Sequence, residues 1–208
     1  HNCLVGSEMC IRDSTMVFAA ATEGGPSPWG DGGVALTMDY RETTFAAGKI
    51  PGGFFKREGR PTTKEILTCR LMDRPCRPLF PKEFSEQISV TSSVHCFDTE
   101  NDPSTLAMNA ASAALSLSAA PFQGPLGAVK VGYINDEYVL FPTIQQMEES
   151  ILDITVAGTK EGVTMVECGS QELSEAVVLG AIELAHKEII RICDCLLYTS
   201  DAADDRMR

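Results

Sequence analysis

Residues 49–82 read KIPGGFFKREGRPTTKEILTCRLMDRPCRPLFPK, and the rest of the chain can be read around this stretch. It holds nine of the chain's 17 lysines and arginines and only three acidic residues, so it carries a charge of +6. The whole chain carries −12, which leaves −18 on the remainder. A basic strip on an acidic body indicates that the strip holds an anion while the body remains soluble.

The basic strip (residues 49–82) opens with a glycine-rich tip of sequence GGFFKR at 52–57. The glycines permit a tight turn or a positive φ, which predicts a loop that carries Phe54, Phe55, Lys56 and Arg57. Aromatic faces that stack on bases, beside cations that contact phosphates, are typical of sequence-tolerant single-strand binding. The alternative is that one phenylalanine anchors the loop in the core and the other packs on a neighbour.

The second half of the basic strip predicts a helix. Thr62 and Glu65 form a capping box at its start. Because Pro75 cannot continue the hydrogen-bond ladder, the helix is expected to end near Asp73. Its expected apolar stripe consists of Ile66, Leu67, Leu71 and Met72.

Three arginines of the basic strip are candidate backbone contacts for a nucleic acid. Arg70 and Arg74 are four residues apart and share a helix face, and Arg77 follows in an extended or irregular segment. Such guanidinium groups can converge on a phosphodiester backbone. In the alternative, Asp73 and other acids pair with them and hold the helix against its neighbours. The residues alone favour neither interpretation.

The motifs of the basic strip, KIPGGFFKREGRP and TCRLMDRPCRPLFP, are preceded by DYRETTFAAG at 39–48. Together they resemble the first ribonuclease PH-type domain of bacterial-type polynucleotide phosphorylases. Further matches follow in the family's order, namely NDP at 101–103, AASAALS at 110–116, GPLGA at 124–128 and AGTK at 157–160. The resemblance covers residues 15–193 and implies that the chain is a fragment of such a protein.

The resemblance implies both a fold and an activity. The fold is an α+β ribonuclease PH-like domain (ribosomal protein S5 domain 2-like), with a mixed sheet and packed helices, and the order of strands and helices in the sequence agrees with it. The implied reaction degrades RNA from its 3′ end, with inorganic phosphate as the attacking group and nucleoside diphosphates as products. The family places the phosphate site and the acids that hold Mg²⁺ or Mn²⁺ in a second such domain, followed by KH and S1 domains. We therefore expect no catalytic or metal residue in this chain, and weak RNA binding without phosphorolysis.

The resemblance also implies roles for the residues of the basic strip. The family loop that matches Phe54, Phe55, Lys56 and Arg57 lines the narrow point of a central channel and grips RNA. The positions that match Arg70, Arg74 and Arg77 lie toward the RNA path and the neighbouring active site. Lys56 stands where an arginine is often found, which keeps the charge but loses bidentate geometry.

The expected partners are single-stranded RNA, two further copies of the chain in a homotrimeric ring, and degradosome components. No apolar run in the sequence reaches membrane-spanning length, so we expect no membrane segment. The expected location is the bacterial cytoplasm, or an organelle if the source is eukaryotic. Five cysteines outside the chain ends contain no CxxC pair, which favours reduced structural thiols (Cys69, Cys76, Cys96, Cys168 and Cys193).

Both ends of the chain resemble translated sequencing adapters rather than native protein. Residues 1–14 contain LVGSEMCIRDS, and residues 194–208 contain CLLYTSDAADD. Excluding them leaves residues 15–193 as one N-terminally truncated domain, long enough for a substantial core.

The remaining pattern predicts strands over 15–22, 34–40, 87–94, 128–134, 137–141, 151–158 and 163–168. It predicts a small-residue helix that Asp102 caps and Pro103 begins, and a closing helix over 175–193. Asp153 and Glu167 are expected on outward strand faces rather than at a metal. Two other classes of protein stay open: a stand-alone ribonuclease PH or exosome-ring subunit, and a non-enzymatic RNA-binding module.

Overall fold

The computed structural model describes residues 2–5, 15–26, 33–54 and 56–207, with side chains described between residues 15 and 200 of those ranges. Phe55 and residues 6–14 lie outside the described residues. The strands are β1 (Asn2–Val5), β2 (Met16–Pro26), β3 (Ala35–Glu42), β4 (Glu86–Cys96), β5 (Gly127–Ile134), β6 (Glu137–Leu140), β7 (Leu152–Gly158) and β8 (Val163–Ser170). The helices are α1 (Thr63–Cys76), α2 (Pro103–Ser116), α3 (Ile144–Glu149) and α4 (Glu175–Met207), with 3₁₀ turns at Thr44–Ala47 and Arg77–Leu79.

The first sheet has the strand order β1-β2-β4-β3. It is mixed, because β3 runs parallel to β4 while the other neighbours are antiparallel. Alternate residues of β2 and β4, such as Val17, Ala19 and Val90, are fully buried. They share one core with the buried faces of α1 and α2. The predicted α+β fold with a mixed sheet is confirmed.

The second sheet is antiparallel, with the order β6-β5-β7-β8. Asn135 and Asp136 turn the β5–β6 hairpin with φ values of 50° and 63°, as a two-residue turn of this kind requires. One face of this sheet packs on α4, where Ala181, Ala185 and Ile189 are fully buried. The strands predicted over 128–134, 137–141, 151–158 and 163–168 are therefore confirmed, and they pair as two hairpins.

Helix α2 joins the two sheets, and its small side chains let it lie close to its neighbours. Ala107, Ala110 and Ala111 are fully buried. The Asn109 amide donates to the Ala128 carbonyl (3.1 Å) and accepts from the Ala128 N–H (2.7 Å). The Asn109 amide is thus satisfied inside the fold, and the predicted start of α2 at the Asp102 cap is confirmed.

The structure corrects two expectations for α1. The helix does not end near Asp73 but continues through Pro75 to Cys76. A proline in the last turn removes only one ladder bond, and the Arg77 N–H still reaches the Asp73 carbonyl. The expected apolar stripe is confirmed only in part: Met72 is buried and Leu71 packs on the core, whereas Ile66 and Leu67 are half exposed and Thr68 is buried instead.

Glu65 contributes to this difference, because it occupies a buried position of α1 that hydrophobicity does not predict. Its carboxylate accepts from the backbone N–H groups of Thr62 (2.5 Å) and Glu42 (2.9 Å). These bonds outweigh the effect of burial, which raises the pKa of a carboxyl, and hold the pKa of Glu65 below its usual value. The predicted capping box is confirmed, and it also ties α1 to β3.

Other element boundaries differ from expectation in length. Strand β2 runs on to Pro26 and α4 runs on to Met207, both beyond the predicted ends. Helix α3 was not predicted. Its signal is present in the sequence, because Thr143 and Gln146 form a second capping box.

Candidate nucleic-acid interface

The loop between β3 and α1 begins from a fixed base on the first sheet. The Thr43 hydroxyl donates to the Val94 carbonyl at 2.6 Å. The Phe97 N–H donates to the Ala46 carbonyl at 3.1 Å. Gly48 ends the 3₁₀ turn in the left-handed region with φ 68°, where a glycine is favoured. The chain therefore leaves the sheet in a defined direction.

Glu58 closes the loop at its far side. Its carboxylate accepts from the Thr44 N–H (2.8 Å) and from the Thr44 hydroxyl (2.9 Å). The segment 44–58, which we call the closed loop, thereby returns to the point where it started. Sequence reasoning counted Glu58 only as a charge and missed this contact.

The tip of the closed loop presents Phe54, whose side chain is 94% exposed. The turn that places it uses positive φ values at Gly53 (81°) and Lys56 (47°). Phe54 therefore does not anchor the loop in the core, which removes that alternative for this residue. The other tip phenylalanine, Phe55, lies outside the described residues.

The cations of the closed loop are exposed and unpaired within the part of the chain that the structure describes. Lys49, Lys56 and Arg57 form no ion pair with any described residue, and the same holds for Arg60 just beyond the loop. Their charges are therefore available to an external anion such as a phosphate group.

The structure separates the three candidate arginines. The Arg70 side chain is exposed and makes no ion pair or hydrogen bond with the described residues. Arg74 faces β8, where its guanidinium lies 3.7 Å from the Glu167 carboxylate. Arg77 faces the other way, toward β3. The three side chains therefore do not converge on one patch.

Arg77 has the second role considered for these arginines: it pairs with an acid and holds the helix against its neighbours. Its guanidinium contacts the Asp73 carboxylate at 2.6 and 3.2 Å. It also donates to the carbonyls of Val34 (3.3 Å) and Leu36 (3.2 Å). This fork holds the end of α1 against the start of β3.

A network of alternating charges, not foreseen from the sequence, links α1 to the second sheet. Lys64 lies 3.0 Å from Glu42 and 3.2 Å from Asp102. Lys130 of β5 lies 3.6 Å from Asp102 and 3.3 Å from Asp153 of β7. A cavity of about 590 Å³ between α1 and the second sheet is lined by four of these side chains. The Lys64 ammonium is thus paired with acids of the fold, unlike the cations of the closed loop.

Asp102 is the centre of this charge network. Burial alone would raise the pKa of its carboxyl. The hydrogen bond from Ser104 and the ammonium groups of Lys64 and Lys130 outweigh that effect and hold the pKa below its usual value. Burial likewise opposes, but does not cancel, the effect of Asp102 and Glu42, which raise the pKa of Lys64. Both groups are therefore charged at neutral pH.

Metal-ligand clusters and membrane spans are both absent from the described residues. No group of three or more histidine, cysteine or acidic side chains among them is placed to hold a metal ion. Within the same residues, no helix has the length and hydropathy needed to cross a bilayer.

Comparison with known proteins gives the family. Residues 4–121 match the sequence model of the 3′ exoribonuclease family, domain 1, and residues 124–188 match that of domain 2. The chain belongs to the 3′ exoribonuclease family. This assignment confirms the resemblance that the basic strip indicated.

Relatives in this exoribonuclease family carry a specific name. The chain is 48% identical over 198 residues to the polyribonucleotide nucleotidyltransferase of Caulobacter sp. strain K31, covering 95% of the chain and 28% of the relative. It is 49% identical over 187 residues to that of Acidobacterium capsulatum, covering 90% of the chain and 23% of the relative. The chain thus spans about a quarter of the length of these proteins.

The crystal structure of rice (Oryza sativa) Rrp46 shows the same fold as this exoribonuclease-family chain. It superimposes with a TM-score of 0.72 over 90% of this chain and 84% of that chain, at 17% sequence identity. At this identity the likeness establishes the fold alone. The ribonuclease PH-like architecture is therefore confirmed by sequence and by structure.

Proposed function

We propose that this chain is the RNA-binding, trimer-forming first core domain of a 3′-to-5′ phosphorolytic exoribonuclease of the polynucleotide phosphorylase type. The observation that carries the proposal is the closed loop, which presents an exposed aromatic ring among unpaired cations. Membership of the 3′ exoribonuclease family supports RNA as the ligand. The name of the relatives supports a reaction that transfers nucleotidyl groups.

The proposed interface consists of the loop tip and the exposed face of α1. Phe54 and Phe55 stack on bases, while Lys56 and Arg57 contact the phosphates between them. Arg70 and Arg74 extend the positive surface along α1, and Arg77 contributes mainly by holding that helix in place. Because stacking uses the π-face that every base has, the interface is expected to bind single strands of any sequence.

The remaining parts of the proposed activity lie outside this chain. Phosphorolysis needs a phosphate site and a divalent cation, Mg²⁺ or Mn²⁺, to stabilise the developing charge. We assign both to a second core domain of the whole protein. The chain would assemble with two further copies around a channel and work in the bacterial cytoplasm, with degradosome components as partners. A mass three times that of the chain, measured by light scattering, would support the trimer.

The stacking prediction is tested with RNA binding. Replacing Phe54 with alanine is expected to weaken binding of oligoadenylate and oligocytidylate alike, by roughly fivefold or more, because a stacked base contributes about 1–3 kcal/mol. The measurement is fluorescence anisotropy with 5′-labelled RNA. Leu179→Ala on α4 is the control, since Leu179 is 59% exposed but far from the basic strip in sequence. A loss confined to one RNA sequence would argue against stacking.

The same titration identifies the phosphate contacts. Lys56→Ala is expected to reduce the slope of log affinity against log salt by about 0.7, the value for one phosphate contact on a single strand. Lys187→Ala removes the same charge from an exposed position on α4 and is expected to leave the slope unchanged. Equal slopes for both variants would remove Lys56 from the interface.

A further inference from the structure

Glu58 stands out because it is an acid surrounded by the cations of a proposed RNA-binding loop. Arg57 precedes it and Arg60 follows two residues later. By charge alone, a carboxylate at this position repels a polyanion and weakens RNA binding. Its position therefore suggests that Glu58 acts through local contacts within the loop and not through direct attraction of RNA.

The contacts of Glu58 supply that role. Its two carboxylate oxygens take one donor each from Thr44, the backbone N–H at 2.8 Å and the hydroxyl at 2.9 Å. Hydrogen bonds to an ionised acceptor are stronger than neutral ones, and two to one carboxylate also fix its orientation. Thr44 opens the 3₁₀ turn, whose neighbour Thr43 is bonded to β4. Glu58 thus ties the returning end of the loop to a base that the sheet holds.

The residues between these two points are the ones that face solvent. Ile50 is 77% exposed and Phe54 is 94% exposed, and the cations of the tip lie beside them. A loop with so little buried surface gains little order from packing against the core. Ordering such a loop only upon binding would cost conformational free energy and weaken the complex.

We propose that Glu58 is a positioning residue for RNA: by clamping Thr44 it closes the loop 44–58 and holds Phe54, Lys56 and Arg57 in their binding orientation. This inference rests on the proposed function and deepens it. It predicts the direction in which RNA affinity changes when Glu58 is removed. Loss of a positioning residue lowers the affinity, whereas loss of a repelling charge raises it.

The first experiment compares Glu58→Ala with Glu83→Ala in the whole chain, by anisotropy with labelled oligoadenylate. Glu83 is an exposed acid just after the basic strip, with no ion pair or hydrogen bond to the described residues. Removing its charge is expected to leave affinity unchanged or slightly raised. Glu58→Ala is expected to lower affinity by about threefold to tenfold, as the loss of a charged hydrogen bond implies. Equal or tighter binding by Glu58→Ala would overturn the positioning role.

A double-mutant cycle tests whether Thr44 is the partner. Thr44→Val removes the hydroxyl donor and keeps the backbone N–H. If both side chains act through one contact, the loss in the double variant is expected to be clearly less than the product of the two single losses. Independent effects that multiply would contradict the clamp. Glu58→Gln, which keeps one carbonyl acceptor, is expected to lie between wild type and Glu58→Ala.

Limited trypsin digestion gives a readout that does not need RNA. Cleavage after Lys49, assigned by mass, is the measurement, because the bond after Arg57 changes chemically with the substitution. Glu58→Ala is expected to speed this cleavage several-fold with little change in Tm, while Glu83→Ala is not. Unchanged cleavage would overturn the clamp. If wild type binds no RNA yet cleavage accelerates in Glu58→Ala, the proposed function fails and the clamp stands.

Discussion

Arg70 and Arg77 show that two arginines seven residues apart on one helix and its C-cap can have unrelated roles. Arg77 contacts a carboxylate and two carbonyl groups, which join α1 to β3. Arg70 is exposed and forms no such contact with the described residues. Both are arginines of the same basic strip, and the sequence left open for each whether it contacts RNA or pairs with an acid. The difference depends on where the start of β3 lies in space.

This difference predicts opposite phenotypes for two substitutions. Arg77→Ala is expected to lower stability by about 1 kcal/mol, or a few degrees in Tm, because it removes partly exposed hydrogen bonds to charged and carbonyl acceptors. Arg70→Ala is expected to leave Tm unchanged and weaken RNA binding. Thermal unfolding and anisotropy on the same samples measure both. A Tm loss in Arg70→Ala that matches Arg77→Ala would contradict the distinction.

At the scale of elements, α1 is the clearest case of what pattern reasoning can and cannot give. Its start was predictable, because a capping box uses residues three apart in sequence. Its end and its buried face were not. Pro75 stays in the last turn, where its ring is buried, and Glu65 is buried with the distant N–H of Glu42 bound to its carboxylate. Both depend on packing against other elements.

The charge network around Asp102 joins α1, α2, β5 and β7, and it predicts a pH effect on stability. The pKa of Asp102 is lower in the folded chain than its unfolded value of about 3.9. Its contribution is therefore fully present above that value and is lost as the pH falls through the folded pKa. Acid should loosen the connection between the two sheets.

The variant Asp102→Asn tests this effect, because asparagine keeps the ability to cap α2 and removes only the charge. We expect a lower Tm than wild type at pH 7, and a difference that shrinks below about pH 4 as the wild-type carboxyl takes up a proton. Glu161→Gln, an exposed turn residue, is the control. A Tm difference that stays constant from pH 7 to pH 2.5 would show that charge is not the cause.

At the scale of the whole molecule, the fold was predictable from the sequence. The ion pairs that join its elements were not. Long motifs in a fixed order identified the family, and the alternating pattern located the strands that form both hairpins. The sequence did not predict that Lys64 pairs with Asp102 or that Lys130 pairs with Asp153. In the sequence, each of these residues is indistinguishable from an ordinary surface residue. The sequence left open whether Phe54 is exposed for stacking or anchors the loop in the core, and in the structure it is exposed.

The division of labour in the proposed enzyme gives a prediction for the chain on its own. With RNA, inorganic phosphate and Mg²⁺, the chain is expected to release no nucleoside diphosphate, because the phosphate and metal sites are assigned to the second core domain. Product is measured by chromatography, and the same preparation must bind RNA by anisotropy so that misfolding is excluded. Release that depends on phosphate would refute the split.

The parallel pairing of β3 and β4 determines how far the closed loop can vary in length. Neighbouring strands that run the same way need a long crossover, and here residues 43–85 make it, carrying both the closed loop and α1. Insertions or deletions between the two ends of the loop leave the strand register untouched. A foreign tip of different length could therefore be grafted between Thr44 and Glu58 while the sheet beneath keeps its pairing.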